Sequence, residues 1–277
     1  MSDAKLAGVI GWPVGQSLSP RLHSYWLAEH GIAGAYVALA VRPEDFGLVV
    51  RALPRAGFAG VSVTVPHKLA AHALCGALDA DAEATGAVNT LVFEGVAIRG
   101  LNTDVSGFAA SLTAAFGADA TRDGPVAVLG AGGAARAIVR ALGKLGATDI
   151  RIANRTRDRA DALAGAFGAK AFDWGDWNSL FGDARLVVNA TSLGMIGKPA
   201  LDVALDALPR EAAIADIVYN PLETALLARA RERGHRVADG LGMLMHQAAP
   251  AFAAWFGTTP SVTAALRRVL ETALRDG

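Results

Sequence analysis

The sequence predicts an α/β fold in two units, the second of them doubly wound, and three observations predict it. The chain has 277 residues, enough for two ordinary domains with real cores. Short apolar runs alternate with segments of helical period along most of its length. One of these alternations, Val126-Ala-Val-Leu-Gly-Ala-Gly-Gly-Ala-Ala-Arg136, passes from an apolar run through a glycine cluster into a helix.

Bulk properties narrow the function classes. Lys plus Arg number 26 and Asp plus Glu 26, so no basic field suggests nucleic acid and no acidic excess suggests disorder. The start, Met1-Ser-Asp-Ala-Lys5, lacks a basic region followed by a long apolar core, and no secretory leader is expected. No apolar run is long enough to span a bilayer, so no membrane partner is expected. The single cysteine, Cys75, excludes an internal disulfide and fits a reducing cytoplasm, the expected location.

In chain order, Leu6–Gly11 reads as a strand ending in the loop Gly11-Trp-Pro-Val-Gly-Gln-Ser17-Leu-Ser19-Pro20. Ser19-Pro20 opens a helix to Gly31, with Ser19 suited to the N-cap and Pro20 to the first turn. Ser17 has no such capping role, and the two hydroxyls together suit one anion. A strand (Tyr36–Val41) and a helix (Pro43–Ala56) follow, then an alternating strand from Gly60 that breaks at Pro66. Lys68 then falls in a helix's first turn, where the positive end of the dipole disfavours a cation unless a carboxylate compensates. A solvated surface lysine is the commoner fate, and the placement argues against it. Gly86-Ala-Val-Asn89-Thr90 and Gly100-Leu-Asn102-Thr103-Asp104 each put an amide or carboxylate at the end of a short strand. Asp104 also suits the cap of a helix over Val105–Phe116.

The glycine cluster Gly130-x-Gly132-x-x-Ala135 has dinucleotide-fingerprint spacing between strand and helix. Glycines permit the tight turn and let backbone N–H groups approach a pyrophosphate at the helix N-terminus. A plain strand-to-helix turn is the alternative, which the context disfavours. An NAD site would put an acid about 20 residues further on, at the tip of the next strand. That tip is Asn154-Arg155-Thr156, and a guanidinium with a hydroxyl suits a 2′-phosphate, hence NADP. Two more buried strands, Arg185–Ala190 and Ala212–Val218, end in the polar loops Thr191–Met195 and Tyr219–Thr224, where open α/β sheets bind ligands. A short strand (Arg236–Ala238) completes this unit. The last section, from Gly240, reads as helical, interrupted at Pro250 and restarted at Thr259-Pro260.

Together these pieces resemble the shikimate dehydrogenase family, over essentially the whole chain. The matching motifs are Ser17-x-Ser19-Pro20-x-x-His23, Val63-Thr64-x-Pro66-x-Lys68, Gly86-Ala-x-Asn89-Thr90, Asn102-Thr103-Asp104 and Gly130-Ala131-Gly132-Gly133-Ala134. Asn154-Arg155-Thr156, Asn189-Ala-Thr191-Ser-x-Gly-Met195, Asp216-x-x-Tyr219 and Gly240-x-Gly-Met243-Leu-x-x-Gln247 follow in the family's order. The resemblance implies an N-terminal α/β substrate domain (1–103), a Rossmann-like doubly wound NADP domain (104–239) and C-terminal helices (240–277) returning to the first domain, with the active site in the cleft between. It implies a catalytic pair, Lys68 and Asp104, and substrate contacts from Ser17, Ser19, Thr64, Asn89, Tyr219 and Gln247. Gly130 to Ala134, Asn154 to Thr156, Thr191, Ile217, Gly240 and Met243 would hold NADP. The implied reaction is the reduction of 3-dehydroshikimate to shikimate, in a monomer or homodimer.

The chain departs from the commonest family pattern at Ser24, Ser62 and Val105, none of which is assigned to chemistry. A quinate/shikimate dehydrogenase using NAD is the nearest alternative, and Ser19 and Arg155 lean away from it. A non-catalytic ligand sensor should have lost Lys68 or Asp104, and both are kept. His23, His67, His72 and His246 form no ligand-spaced cluster, so no metal is expected; His23, near Trp26, reads as a packing residue.

Overall fold

In the computed structural model, which describes residues 4–122 and 124–276, the chain forms two compact units. One is Met1–Asp104 with Met245–Gly277, the other Val105–Leu244. The divisions therefore fall after 104 and 244, against the expected 103 and 239. The first turn of the helix from Gly240 stays with the second unit because Met243 is buried in that unit's core.

The first unit begins with β1 (Lys5–Gly11), α1 (Ser19–Glu29), β2 (Gly34–Ala40), α2 (Phe46–Ala52), β3 (Phe58–Val63) and α3 (Lys68–Leu74). β4 (Ala77–Leu78), α4 (Ala80–Thr85), β5 (Thr90–Glu94) and β6 (Ala97–Leu101) follow, and α5 (Thr103–Phe116) starts at the unit's end and belongs to the second unit from Val105 on. The sheet order is β2-β1-β3-β5-β6-β4. β1 runs parallel to β2 and β3, whereas β5 is antiparallel to β3 and β6. The expected helix over 43–56 divides into α2 flanked by two 3₁₀ turns, Pro43–Asp45 and Leu53–Ala56. Leu53 keeps a right-handed helical backbone, but Pro54 has no N–H to carry the α-helical ladder on, and the chain tightens into the second 3₁₀ turn after Ala52.

The second unit holds β7 (Val126–Leu129), α6 (Gly133–Lys144), β8 (Ile150–Ala153), α7 (Arg157–Phe167), β9 (Lys170–Phe172) and α8 (Trp177–Phe181). β10 (Leu186–Asn189), β11 (Ala213–Asp216), α9 (Ala225–Glu232) and β12 (Arg236–Ala238) complete its sheet. All six strands are parallel, in the order β12-β11-β10-β7-β8-β9. β7, β10 and β11 are buried throughout, as their uninterrupted apolar runs require of strands covered on both faces. The winding reverses between β7 and β10, the topological switch point where such sheets bind ligands beyond their C-terminal ends. The connection from β10 to β11 has no helix. It is held instead by buried Leu201, Val203, Leu205 and Leu208, and by Arg229, which donates to Asp202 Oδ1 and the Leu201 carbonyl at 3.1 Å.

α10 (Gly240–Phe256) runs unbroken through Pro250. The proline lies on an exposed face, while Ala248, Ala251, Phe252 and Trp255 bury the opposite one. That burial offsets the missing helical N–H. α11 (Ala264–Asp276) starts later than the expected Thr259-Pro260, because the Thr263 hydroxyl caps it by accepting from the Leu266 N–H at 3.1 Å. Trp255 Nε1 donates to the Leu91 carbonyl at 2.9 Å. Only a glycine at 60 leaves room for that contact, since a Cβ there would overlap both the indole and the carbonyl oxygen.

Candidate active site and cofactor site

The first-unit site is built where β3, β5 and β6 meet helix starts. Beyond β3, the Thr64 N–H donates to the Ile10 carbonyl and the Thr64 carbonyl accepts the His67 N–H, both at 2.9 Å. The buried His67 ring stacks on Phe46 and its Nε2 lies 2.8 Å from the Val41 carbonyl oxygen. This pins the start of α3, whose first residue is Lys68. Lys68 Nζ donates to Asp104 Oδ2, an ion pair with side chains only 15% and 7% exposed. Asp104 is the second residue of α5, inside the helix rather than its cap, where a carboxylate is favoured by the dipole. The compensating carboxylate that a first-turn lysine requires is therefore present.

Asn89 organises the group. Its Nδ2 lies 2.9 Å from Asp104 Oδ1 and from Thr103 Oγ1, and 3.3 Å from Gln247 Oε1. Its Oδ1 accepts the Thr103 N–H at 2.8 Å and the Thr90 hydroxyl at 3.2 Å. Asn89 precedes β5 instead of ending a strand, so its amide reaches the residues that follow β6. Lys68, Asn89, Asp104 and Gln247 are thus brought together, with Thr90 and Thr103 as members the sequence reading missed. Behind them, Asn102 Nδ2 donates to Thr85 Oγ1 at 2.8 Å and to the Ala87 carbonyl at 2.9 Å, tying the Asn89 turn to the start of α5.

The paired serines take roles opposite to those expected. Ser19 is the first residue of α1, and no side chain caps that helix at residue 18. Ser17 Oγ instead accepts the Ser19 N–H at 3.3 Å. Ser19 is buried, with its hydroxyl in reach of Tyr36, whose own hydroxyl donates to Ser62 Oγ at 2.8 Å. Burial pushes the Tyr36 hydroxyl well above the usual tyrosine range, so it stays protonated. His23 stacks on Tyr36 at 4.0 Å, and burial pulls its pKa down to about 3, leaving a neutral ring that packs. Of the three departures, Ser24 is exposed on α1, Ser62 is this buried partner of Tyr36, and Val105 lies in the second unit's core. Thr64 is half-buried, its methyl seated on Gly11. Tyr219 is half-buried in the second unit, just beyond β11.

The second-unit residues fit a dinucleotide. Gly130 ends β7 at φ +111°, and a Cβ there would lie 3.0 Å from Thr191 Cγ2 and 3.1 Å from the Ala190 backbone. The loops after β7 and β10 therefore close against each other at the switch point. Ala131 and Gly132 lead into α6, whose first residues, Gly133 and Ala134, present N–H groups without helical partners. A Cβ at Gly132 would meet open space, which leaves the backbone approachable. Buried Ala135 supplies the close helix packing of the third fingerprint position.

At the tip of β8, Asn154 Nδ2 donates to the Thr156 carbonyl at 2.9 Å, and Thr156 precedes α7 with no capping bond from its hydroxyl. Arg157 is held by Asp161 at 3.0 Å and Asp173 at 2.7 Å. Exposed Arg155 has no hydrogen bond or ion pair among the described residues, so its guanidinium is available to an anion. Half-buried Ile217 and buried Met243 pack on the core beneath α6. Gly240 passes so close to Ile217 that a Cβ would overlap the Ile217 carbonyl. Among the described residues, no group of His, Cys, Asp and Glu gathers as a metal site, and no helix is long and apolar enough to cross a membrane.

Buried Asp216, at the end of β11, carries a pH signature. Burial pushes its pKa up from 3.8 to about 6, against hydrogen bonds from Val218, Thr224 and Asn189 that lower it. Between these values the folded chain binds a proton that the unfolded chain has lost. The contribution to stability is therefore present below about pH 4 and disappears as pH rises through about 6. Asp216→Asn, which cannot ionise, should gain on the parent by up to about 3 kcal/mol across that interval. Parallel denaturant unfolding at pH 5 and pH 8 checks this, and an offset independent of pH contradicts it.

Three family profiles tile the chain. The shikimate dehydrogenase substrate binding domain matches residues 9–91, shikimate/quinate 5-dehydrogenase residues 113–218 and the shikimate 5′-dehydrogenase C-terminal domain residues 240–270. A relative from Paramagnetospirillum magneticum, shikimate dehydrogenase (NADP(+)), is 52% identical over 267 residues, covering 95% of this chain and 97% of its own. Shikimate 5-dehydrogenase from Thermus thermophilus, crystallised with NADP(H) and shikimate, is 37% identical with a TM-score of 0.86, covering 99% of both chains. Quinate dehydrogenase from Corynebacterium glutamicum, in complex with NAD, is 30% identical with a TM-score of 0.88, covering 98% of this chain and 99% of that one. Profiles spanning most of the chain, and a relative sharing half its residues end to end, make it a member of the shikimate dehydrogenase family.

Proposed function

We infer that this chain catalyses the reversible, NADPH-dependent reduction of 3-dehydroshikimate to shikimate, a step of aromatic amino-acid biosynthesis. The observation that carries the reading is the Lys68–Asp104 ion pair bridged by Asn89 toward Gln247, in a chain of this family. Bound NADPH supplies a hydride to the ketone carbon. Lys68 Nζ gives a proton to the ketone oxygen as that carbon is reduced, and takes it back in the oxidative direction. Asp104 holds the ammonium in place, and the Asn89 amide fixes the carboxylate that does so.

Substrate recognition follows from neutral donors. Ser17, Ser19 and Tyr219 hold the carboxylate, while Thr64, Asn89, Asp104 and Gln247 sort the ring hydroxyls. A site that hydrogen-bonds particular hydroxyls rejects analogues lacking them, because its own polar groups would be left unpaired. The Gly130–Ala134 turn receives the pyrophosphate, Asn154, Arg155 and Thr156 the 2′-phosphate, and Thr191, Ile217, Gly240 and Met243 the rest of the cofactor. Half-buried Cys75 suits a reducing cytoplasm as the working compartment.

The test is a two-by-two steady-state assay of shikimate or quinate with NADP⁺ or NAD⁺. Shikimate with NADP⁺ is expected to give the highest kcat/KM. Comparable turnover of quinate, or a preference for NAD⁺, would move the chain to the quinate-type reading. Binding without turnover in any combination would make it a sensor.

A further inference from the structure

The loops after β10 and β11 share one buried polar post. Asn189 and Asp216 sit opposite each other at the last paired position of these strands, and both are buried. Asp216 Oδ1 accepts Asn189 Nδ2 at 2.8 Å and the Val218 N–H at 3.0 Å, while Oδ2 accepts the Thr224 hydroxyl at 2.8 Å. Asn189 Oδ1 accepts the Thr191 N–H at 3.0 Å and its hydroxyl at 2.7 Å. A buried carboxylate is costly unless its oxygens are matched; here two donors come from the stretch after β11 and one from Asn189, whose own oxygen holds the loop after β10. We propose that Asn189 and Asp216 are positioning residues for the reaction, a single post that sets Thr191 for the cofactor and Tyr219 for the substrate. The proposal rests on the roles given above to Thr191 and Tyr219.

A merely structural post would change the amount of folded protein. A positioning post changes the apparent affinity for two different ligands at once. Asp216→Asn keeps the shape and removes the charge that the donors converge on. It should raise KM for NADP⁺ and KM for shikimate each by about tenfold, the worth of a hydrogen bond to a charged group, with kcat within about threefold. Thr191→Ala should move the NADP⁺ KM alone, and Tyr219→Phe the shikimate KM alone. If those two variants move their constants and Asp216→Asn moves neither, or only one, the shared post is wrong. If Thr191→Ala and Tyr219→Phe leave both constants unchanged, the site roles fail and the proposal fails with them. Should Asp216→Asn not fold, Thr224 decides the matter. A raised shikimate KM in Thr224→Val, restored by Thr224→Ser, supports the post, and equal constants in the two variants overturn it.

Discussion

Replacing Lys68 by alanine is expected to lower kcat by about 10²–10⁴-fold in both directions, the usual worth of a positioned acid–base group. Shikimate should still bind, because the donors assigned to its carboxylate and hydroxyls lie on other residues. The argument starts from placement: Lys68 opens α3, and Asp104, in the first turn of α5, accepts its proton-bearing nitrogen. Asn89 Nδ2, 2.9 Å from the other Asp104 oxygen, keeps that carboxylate partnered when the lysine is gone. Lys68→Arg separates two explanations. A guanidinium preserves the charge beside Asp104 yet does not release a proton at working pH, so this variant should be nearly as slow as alanine. Steady-state rates with shikimate titrations of both variants measure this, alongside far-ultraviolet circular dichroism for folding. Turnover within tenfold of the parent in Lys68→Ala would remove Lys68 from proton transfer. Recovery in Lys68→Arg would make its role electrostatic.

The parts of the molecule that were legible in the sequence are those where one local rule is strong. β7 is an apolar run stopped by Gly130, and β12 is as short and as clearly bounded; both lie over the residues expected. The all-parallel second sheet follows from the buried apolar runs of β7, β10 and β11 and from the helices that follow β7, β8, β9 and β11. The sequence does not reveal β4, α4, β9 and α8, because elements of two to six residues are too short to show a period, and the eleven-residue α7 also goes unrecognised in it. Pro250 reads as a break in the sequence because the chain alone does not reveal which helix face is buried. The serines were exchanged for a related reason: either hydroxyl can serve a helix start, and only the backbone path decides that Ser17 reaches back to the Ser19 N–H. Motifs exposed which residues matter but not which pair. Asn189 and Asp216 stand 27 positions apart and meet only because β10 and β11 are neighbours in register.

Cofactor choice concentrates in one residue, and Arg155→Ala is expected to lower kcat/KM with NADP⁺ by about 10–100-fold, corresponding to roughly 1.5–3 kcal/mol of charge-assisted hydrogen bonding. With NAD⁺ the change should stay within about threefold, since that ligand brings no 2′-phosphate. Three arginines lie close together here, at 155, 157 and 159, and the structure separates two of them by how they are occupied. Arg157 is shared between Asp161 and Asp173, so its charge is already matched, whereas Arg155 has no such partner among the described residues. Arg157→Ala is therefore the control, expected to affect both cofactors slightly and equally. The absence of an acid at the tip of β8 sharpens the contrast, because a carboxylate there would bind the ribose 2′-hydroxyl and repel a phosphate. Arg155→Asp should accordingly weaken NADP⁺ further than alanine does while improving NAD⁺. Equal losses with both cofactors in Arg155→Ala would place the 2′-phosphate elsewhere. The occupied Arg157 would then have to give up its two aspartates to take that role, which Asp161→Asn and Asp173→Asn would make easier and thereby reveal.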